Sequence, residues 1–182
     1  MKTLVTGASG MLGAAVLDKL SVDRLEVVAT GRSVGGAVST VIDVGDWECV
    51  RGVFREHQPE LVIHLAAATD VDRCEQFPDE GFATNAFGTE NVARACLDCG
   101  AVMVYISTAN VFDGEKLEPY TEYDNPGSIN AYGRSKLAGE QAVEQALERY
   151  FIFRAGWMVG GWDIDKKFVR KIVQLCDEQD QL

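Results

Sequence analysis

The sequence predicts an α/β fold: a doubly wound, mostly parallel sheet with helices on both faces and strand order 3-2-1-4-5-6. Three observations carry this. Short β-branched runs alternate with amphipathic stretches along the chain, the pattern of β-α-β units. The first run passes straight into a glycine-rich turn, Thr6-Gly7-Ala8-Ser9-Gly10-Met11-Leu12-Gly13. The run Leu61-Val62-Ile63-His64-Leu65 is almost continuously apolar, as a strand covered on both faces requires.

The elements follow in order. Strands are expected at Lys2–Thr6, Leu25–Thr30, Ser39–Ile42, Leu61–Leu65, Val102–Ser107 and Tyr150–Phe153. Helical periodicity covers Met11–Leu20, Asp46–His57, Pro78–Cys99 and Asn130–Arg149, with a last helix near Lys166–Leu175. Asp46 suits the N-cap before Trp47, and Gly100 suits the stop after the long third helix. The stretch Asp113–Asn130 is the one long irregular connection, rich in Gly, Pro and acidic residues. Such loops are commonly functional, and this one could wall a substrate cleft.

At 182 residues the chain suits one domain with a real core. A net charge of −11 argues against nucleic acid or an anionic membrane as partner. No apolar run approaches the ~20 residues of a membrane span, and Leu4-Val5 is a strand core broken by Thr6-Gly7, unlike a signal peptide. Five irregularly spaced cysteines make no disulfide framework. Cys96 and Cys99 lie within a helical pattern without a second Cys/His pair, so they read as partly buried helix residues, and no metal site is expected. A cytoplasmic location is expected.

The turn Gly7-x-x-Gly10-x-x-Gly13 lies between a strand and an amphipathic helix. The first glycine permits the tight turn, the second a close approach of backbone to a pyrophosphate, and the third close helix packing. Ser9, Met11 and Leu12 would present N–H groups to the same phosphates. After the second strand stands Ala29-Thr30-Gly31-Arg32-Ser33, without the carboxylate that would bind the ribose 2′-OH of NAD. Arg32 can instead grip a 2′-phosphate, so NADPH is favoured, with NADH left open. Asp43 and Val44 could hold the adenine edge. Ala66, Ala67 and Ala68 are small enough for a cofactor to lie against the backbone after the fourth strand.

Tyr132 and Lys136 stand four residues apart at the start of a helix, on one face. A phenol can protonate a developing alkoxide, but its ordinary pKa is near ~10. Lys136, with the positive nicotinamide of an oxidised cofactor, would pull that value toward the working range. Thr108, at the tip of the fifth strand, can donate a second hydrogen bond. His64 reads as a core histidine, His57 as a surface residue, and the acidic cluster Glu115–Asp124 as a solvated loop.

Taken together, these residues resemble the extended short-chain dehydrogenase/reductase family, along all 182 residues, and within it the dTDP-4-dehydrorhamnose reductase branch. The likeness includes the glycine turn, Asp43-Val44, Ala66-Ala67-Ala68, Asn85-Ala86-Phe87-Gly88-Thr89 and Tyr105-Ile106-Ser107-Thr108. It continues through Val111-Phe112-Asp113-Gly114, Tyr132-Gly133-Arg134-Ser135-Lys136-Leu137-Ala138-Gly139-Glu140 and Phe153-Arg154-Ala155-Gly156-Trp157. The resemblance implies a Rossmann-type domain over residues 1–160, with 161–182 opening a substrate-binding part that is largely absent from the chain. It implies NADPH-dependent reduction of a nucleotide-linked 4-keto-6-deoxy sugar in dTDP-L-rhamnose biosynthesis. Thr108, Tyr132 and Lys136 would form the catalytic triad. Asn85 would support the lysine through its helix beside the cofactor, and Thr108, Asn110 and Trp157 would face the sugar.

Where the branch reads Ser-Thr-Asp-Tyr-Val-Phe, this chain has Ser107-Thr108-Ala109-Asn110-Val111-Phe112, leaving the particular sugar open. The same change argues against a 4,6-dehydratase, which resembles the family but needs an Asp-Glu pair there. Two other readings share the resemblance: an NADP-binding regulatory subunit of methionine adenosyltransferase type, and a nucleotide-sugar epimerase, which would retain NAD. The helices Pro78–Cys99 and Asn130–Arg149 could pair in a homodimer, or satisfy their apolar faces on the sheet.

Overall fold

The structure, a computed structural model, describes residues 1–23, 25–160 and 168–178. In chain order the elements are β1 (Lys2–Thr6), α1 (Met11–Val22), β2 (Glu26–Gly31), β3 (Thr40–Val41), α2 (Trp47–His57) and β4 (Leu61–His64). Then come α3 (Val71–Gln76), α4 (Pro78–Phe82), a π-helical turn (Ala83–Phe87), α5 (Gly88–Cys99) and β5 (Val102–Thr108). A 3₁₀ turn (Ala109–Val111), α6 (Ala131–Ala146), β6 (Tyr150–Ala155) and α7 (Phe168–Glu178) complete it.

The strands form one parallel sheet in the order β3-β2-β1-β4-β5-β6, as the sequence predicts. The order reverses beside β1, and at such a switch point a crevice opens beyond the carboxyl ends of the strands. Thr6 of β1 pairs with His64 of β4, so the glycine turn and the segment after β4 leave the sheet side by side.

One side of the sheet packs Leu4, Val62, Met103 and Tyr105 against Val50, Phe54, Val92 and Val143 of α2, α5 and α6. Val92 of α5 and Val143 of α6 are thus taken up by the sheet, while Phe87 and Leu97 on the same stretch as α5 stay 60% and 59% exposed. The other side sets Val5, Ala8, Ala29 and Val38 against Val16, Leu17 and Leu20 of α1. Covering on both faces, expected throughout, fails at the β6 edge, where Phe151 and Phe153 are 58% and 53% exposed. There the chain alternates half-buried and exposed residues, as a strand covered on one face does.

Local chemistry explains most boundaries. Asp46 caps α2, its carboxylate accepting from the N–H of Glu48 at 2.9 Å and of Cys49 at 3.3 Å. Gly100 ends α5 at φ 71°. The predicted helix Pro78–Cys99 exists but runs through the π-helical turn around Asn85. The short α3 has no counterpart in the expectation: only Cys74 of its six residues is buried, so it has no apolar period, and it starts because Asp70 caps Arg73 N at 3.0 Å. The helix expected to reach Arg149 ends at Ala146. Of the last predicted helix, Lys166 and Lys167 lie outside the described residues. All five cysteines are free. His57 is half-buried at the end of α2, not at the surface as expected.

Candidate active site

Past the carboxyl edge of the sheet lies a cleft of about 1020 Å³. Its far end is the glycine turn. Gly7 adopts φ +65°, and a Cβ there would stand 2.7 Å from the N of Ala66, so only glycine fits. A Cβ on Gly13 would strike the carbonyls of Gly7 and Ala8, which keeps the first turn of α1 against the strand end. Gly10 is the N-cap of α1 and offers no side-chain cap, so the first N–H groups of that helix are open to a ligand.

Gly7, Ser9, Gly10, Met11, Leu12 and Gly13 line the cleft, and so do Arg32, Asp43, Val44, Ala66, Ala67 and Ala68. Arg32 is exposed at the rim, next to Gly31, which the sequence reading had left out. Asp43 uses one carboxylate oxygen to hold the N–H of Gly45 at 3.0 Å. Glycines that admit no Cβ, an uncapped helix start and a rim guanidinium fit a phosphorylated dinucleotide.

At the other end stand Tyr132 and Lys136, both lining the cleft. Thr108, predicted beside them, is buried close to the Tyr132 side chain; its hydroxyl accepts from the N–H of Asn110, and it does not line the cleft. Burial pushes the Tyr132 pKa up, with the neighbouring Thr108 side chain opposing it. Lys136 is buried, its ammonium 4.1 Å from the centre of the Tyr105 ring, a cation–π distance. Burial lowers its pKa to about 7, against the pull of Glu140 one turn along. The lowered phenol pKa expected from the lysine is therefore not what the protein alone produces; it is the lysine that is brought to the neutral range.

Two glycines in Tyr132–Glu140 allow this arrangement. A Cβ on Gly133 would collide with the carbonyl of Asn110, and one on Gly139 with the Asn85 carbonyl and the Tyr105 hydroxyl. The helix α6 is pinned at its start by its own cap, Asn130, whose side chain accepts from Gly133 N at 2.7 Å. Glu75 of α3 adds a second cap, accepting from Ala131 N at 2.7 Å.

Asn85, expected beside the cofactor, does not reach the cleft. It is fully buried behind Ala68, taking the Ala68 N–H at 2.8 Å and donating to its carbonyl at 3.0 Å. The same amide donates to Ser135 Oγ at 2.9 Å, and Ser135 donates to the Tyr132 carbonyl at 2.7 Å. Asn85 thereby ties the segment after β4 to the helix that bears the phenol.

The residues assigned to the sugar are less gathered. Asn110 sits in the 3₁₀ turn, its N–H donating to Thr108 Oγ1 at 3.2 Å, and it is not part of the cleft wall. Trp157 is 83% exposed beyond the end of β6, and its neighbour Met158 reaches the cleft instead. Sequence reasoning missed Glu75, Ser135 and the cleft-mouth pair Arg73–Glu80, joined at 2.8 Å and 3.0 Å. Only Ser135 carried a signal, by standing between Tyr132 and Lys136. Among the described residues no group of His, Cys, Asp or Glu is arranged to hold a metal ion.

A strand-order reversal at a glycine turn, with a tyrosine and lysine facing it, is the architecture of the extended short-chain dehydrogenase/reductases. The chain belongs to the RmlD substrate binding domain family, whose model matches residues 1–182. It is 35% identical to a dTDP-4-dehydrorhamnose reductase of Sinorhizobium fredii, over all of this chain and 58% of that protein. A dTDP-4-dehydrorhamnose reductase of Bacillus anthracis, solved in complex with NADP, superposes with a TM-score of 0.90 at 36% identity, over 98% of this chain and 60% of that one. The β subunit of methionine adenosyltransferase 2 from Xenopus laevis is 32% identical over 97% of this chain and 52% of its own length. The chain thus spans little more than half the length of these relatives.

Proposed function

We propose that this chain carries the cofactor and proton-donor portion of an NADPH-dependent reductase acting on a nucleotide-linked 4-keto-6-deoxy sugar. The observation that carries this reading is that Tyr132 and Lys136 line one end of a cleft whose other end is the Gly7–Gly13 turn. The N–H groups of the turn would hold the pyrophosphate, Arg32 the 2′-phosphate, and Ala66–Ala68 the face of the nicotinamide half. Bound there, NADPH would supply a hydride to the sugar ketone.

The chain's own residues do the rest. A phenol is protonated at neutral pH, and burial raises the Tyr132 pKa further, so the residue can give its proton to an oxygen gaining charge. Thr108 orients the phenol and offers its hydroxyl to the same oxygen. Lys136, poised near neutrality, stabilises negative charge left on the ring. The part that grips the nucleotide of the substrate would begin after residue 160.

Tyr132 and Lys136 both line the cleft, which supports an enzyme over a regulatory subunit. The absence of a carboxylate after β2 disfavours an epimerase that retains NAD. Five free cysteines suit a reducing, cytoplasmic setting. Among the described residues no helix is long and apolar enough to cross a membrane.

The test is NADPH oxidation by the protein against a panel of nucleotide-linked 4-keto-6-deoxy sugars. Tyr132→Phe should lose roughly 10²–10⁴-fold in turnover while binding NADPH normally. Full turnover in that variant would overturn the assignment.

A further inference from the structure

We propose that His64, buried at the end of β4, is a positioning residue: a ring protonated on Nε2 that registers the floor of the cleft against the segment holding Ala68 and α6. The inference rests on the cleft being a dinucleotide site, and it concerns a group that the chemistry above does not use.

The hydrogen-bond pattern fixes the tautomer. The main-chain N–H groups of Leu65 and Ala66 both donate to Thr6 Oγ1, at 3.1 Å and 3.2 Å. With both acceptor positions of the hydroxyl occupied, its own hydrogen must be donated. The acceptor is His64 Nδ1, 2.7 Å away. On the far side of the ring, Thr89 Oγ1 donates to the carbonyl of Asn85 at 2.8 Å. It therefore meets His64 Nε2, at 3.1 Å, as an acceptor. Both ends of the ring call for the same form. The ring is 1% exposed and stacked on Tyr105 at 5.7 Å. Burial, followed by the charge of Lys136, holds its pKa at about 3, so it is neutral at physiological pH.

What the ring joins is the reason it matters. Leu65 and Ala66 line the cleft where its floor comes closest to Gly7. Asn85 at the other end fixes Ala68 and, through Ser135, the main chain of Tyr132. Thr6, His64 and Thr89, each donating to the next and Thr89 to the main-chain carbonyl of Asn85, thus connect the pyrophosphate end of the cleft to the proton-donor end. An apolar replacement would strand the Thr6 hydroxyl and remove the donor to Thr89, letting the two banks shift.

His64→Gln keeps one acceptor and one donor on a single side chain, whereas His64→Phe keeps a ring and neither. Titrated with NADPH by fluorescence, the Phe variant should bind about ten-fold or more weakly, the loss of ~1.4 kcal/mol expected for an unmade buried hydrogen bond. The Gln variant should stay within about three-fold of wild type. Without any nucleotide, amide exchange at Leu65 and Ala66 should rise in the Phe variant and not in the Gln variant. The imidazole ¹⁵N spectrum of the wild-type chain should show a bare Nδ1 and a protonated Nε2 at pH 7. If His64→Phe does not fold, Thr89→Val removes the Nε2 acceptor and should weaken binding in the same direction. A protonated Nδ1, wild-type affinity in both apolar variants, or equal loss in Gln and Phe would each overturn the inference. Wild-type protein that ignores NADPH would instead sink the dinucleotide reading, and the tautomer and exchange results would still decide the role of His64.

Discussion

The ammonium of Lys136 lies over the face of the Tyr105 ring, 4.1 Å from its centre, and both residues are buried. A charge there has one aromatic face and the distant Glu140 to replace its water. Burial therefore outweighs attraction, and the lysine titrates near 7 instead of its usual value.

This has a measurable consequence for stability. Between about 7 and the ordinary lysine pKa, the unfolded chain binds a proton that the folded chain does not. Stability contributed by Lys136 therefore rises with pH through that window. Above roughly pH 8.5 the buried thiols act the other way, since burial raises the pKa of Cys96, Cys74 and Cys99. Urea melts from pH 7 to 8.5 should show a steeper gain in wild type than in Lys136→Met. Equal slopes would mean that the folded lysine keeps its proton through this window.

Two glycines of the turn, Gly7 and Gly10, should separate. Gly7→Ala must place a Cβ on the Ala66 backbone at φ +65°, and should cost ~1–3 kcal/mol in a denaturant melt. Gly10→Ala meets only the Gly7 carbonyl, at 3.3 Å. It should melt close to wild type yet bind NADPH more weakly, because its methyl group occupies the approach of the pyrophosphate. Gly10→Ala protein with unaltered affinity would place the phosphates elsewhere.

On the proposed reading, Arg32 should discriminate between the two cofactors. Arg32→Ala should raise the Kd for NADPH by roughly 10–100-fold, the worth of hydrogen bonds to a charged group, and leave that for NADH almost unchanged. Parallel titrations with the two nucleotides check this. An equal loss for both would give the guanidinium a general role instead.

The pair Glu140–Arg154 anchors α6 to β6. Glu140 is 1% exposed and takes three contacts from the guanidinium, the shortest 2.7 Å. Arg154 in turn lies over the Phe112 ring at 5.1 Å. Arg154→Met leaves a carboxylate buried without its partner and should cost ~3–5 kcal/mol. Replacing both residues by apolar ones should cost less than that single change, a comparison available from one double-mutant cycle by urea melts.

Much of the cofactor end was legible because it depends on residue types at short range. A glycine turn between a strand and a helix is a local pattern, and so is the absence of a carboxylate after β2. The proton-donor end was legible in its members but not in its wiring. Nothing in the spacing of Asn85, Ser135 and Glu75 shows that the first holds Ala68 or that the last caps α6, since those contacts join residues 17, 50 and 56 positions apart.

The sequence by itself determined the sheet, its order and the glycine turn, because periodicity and turn chemistry act between near neighbours. Tertiary structure alone decided which groups carry charge. Lys136 titrates low and Tyr132 high because the fold buries them, and burial is a property of everything packed around a side chain. It also decided that Asn85 braces the cleft from behind and that Met158 reaches the cleft wall while Trp157 lies exposed.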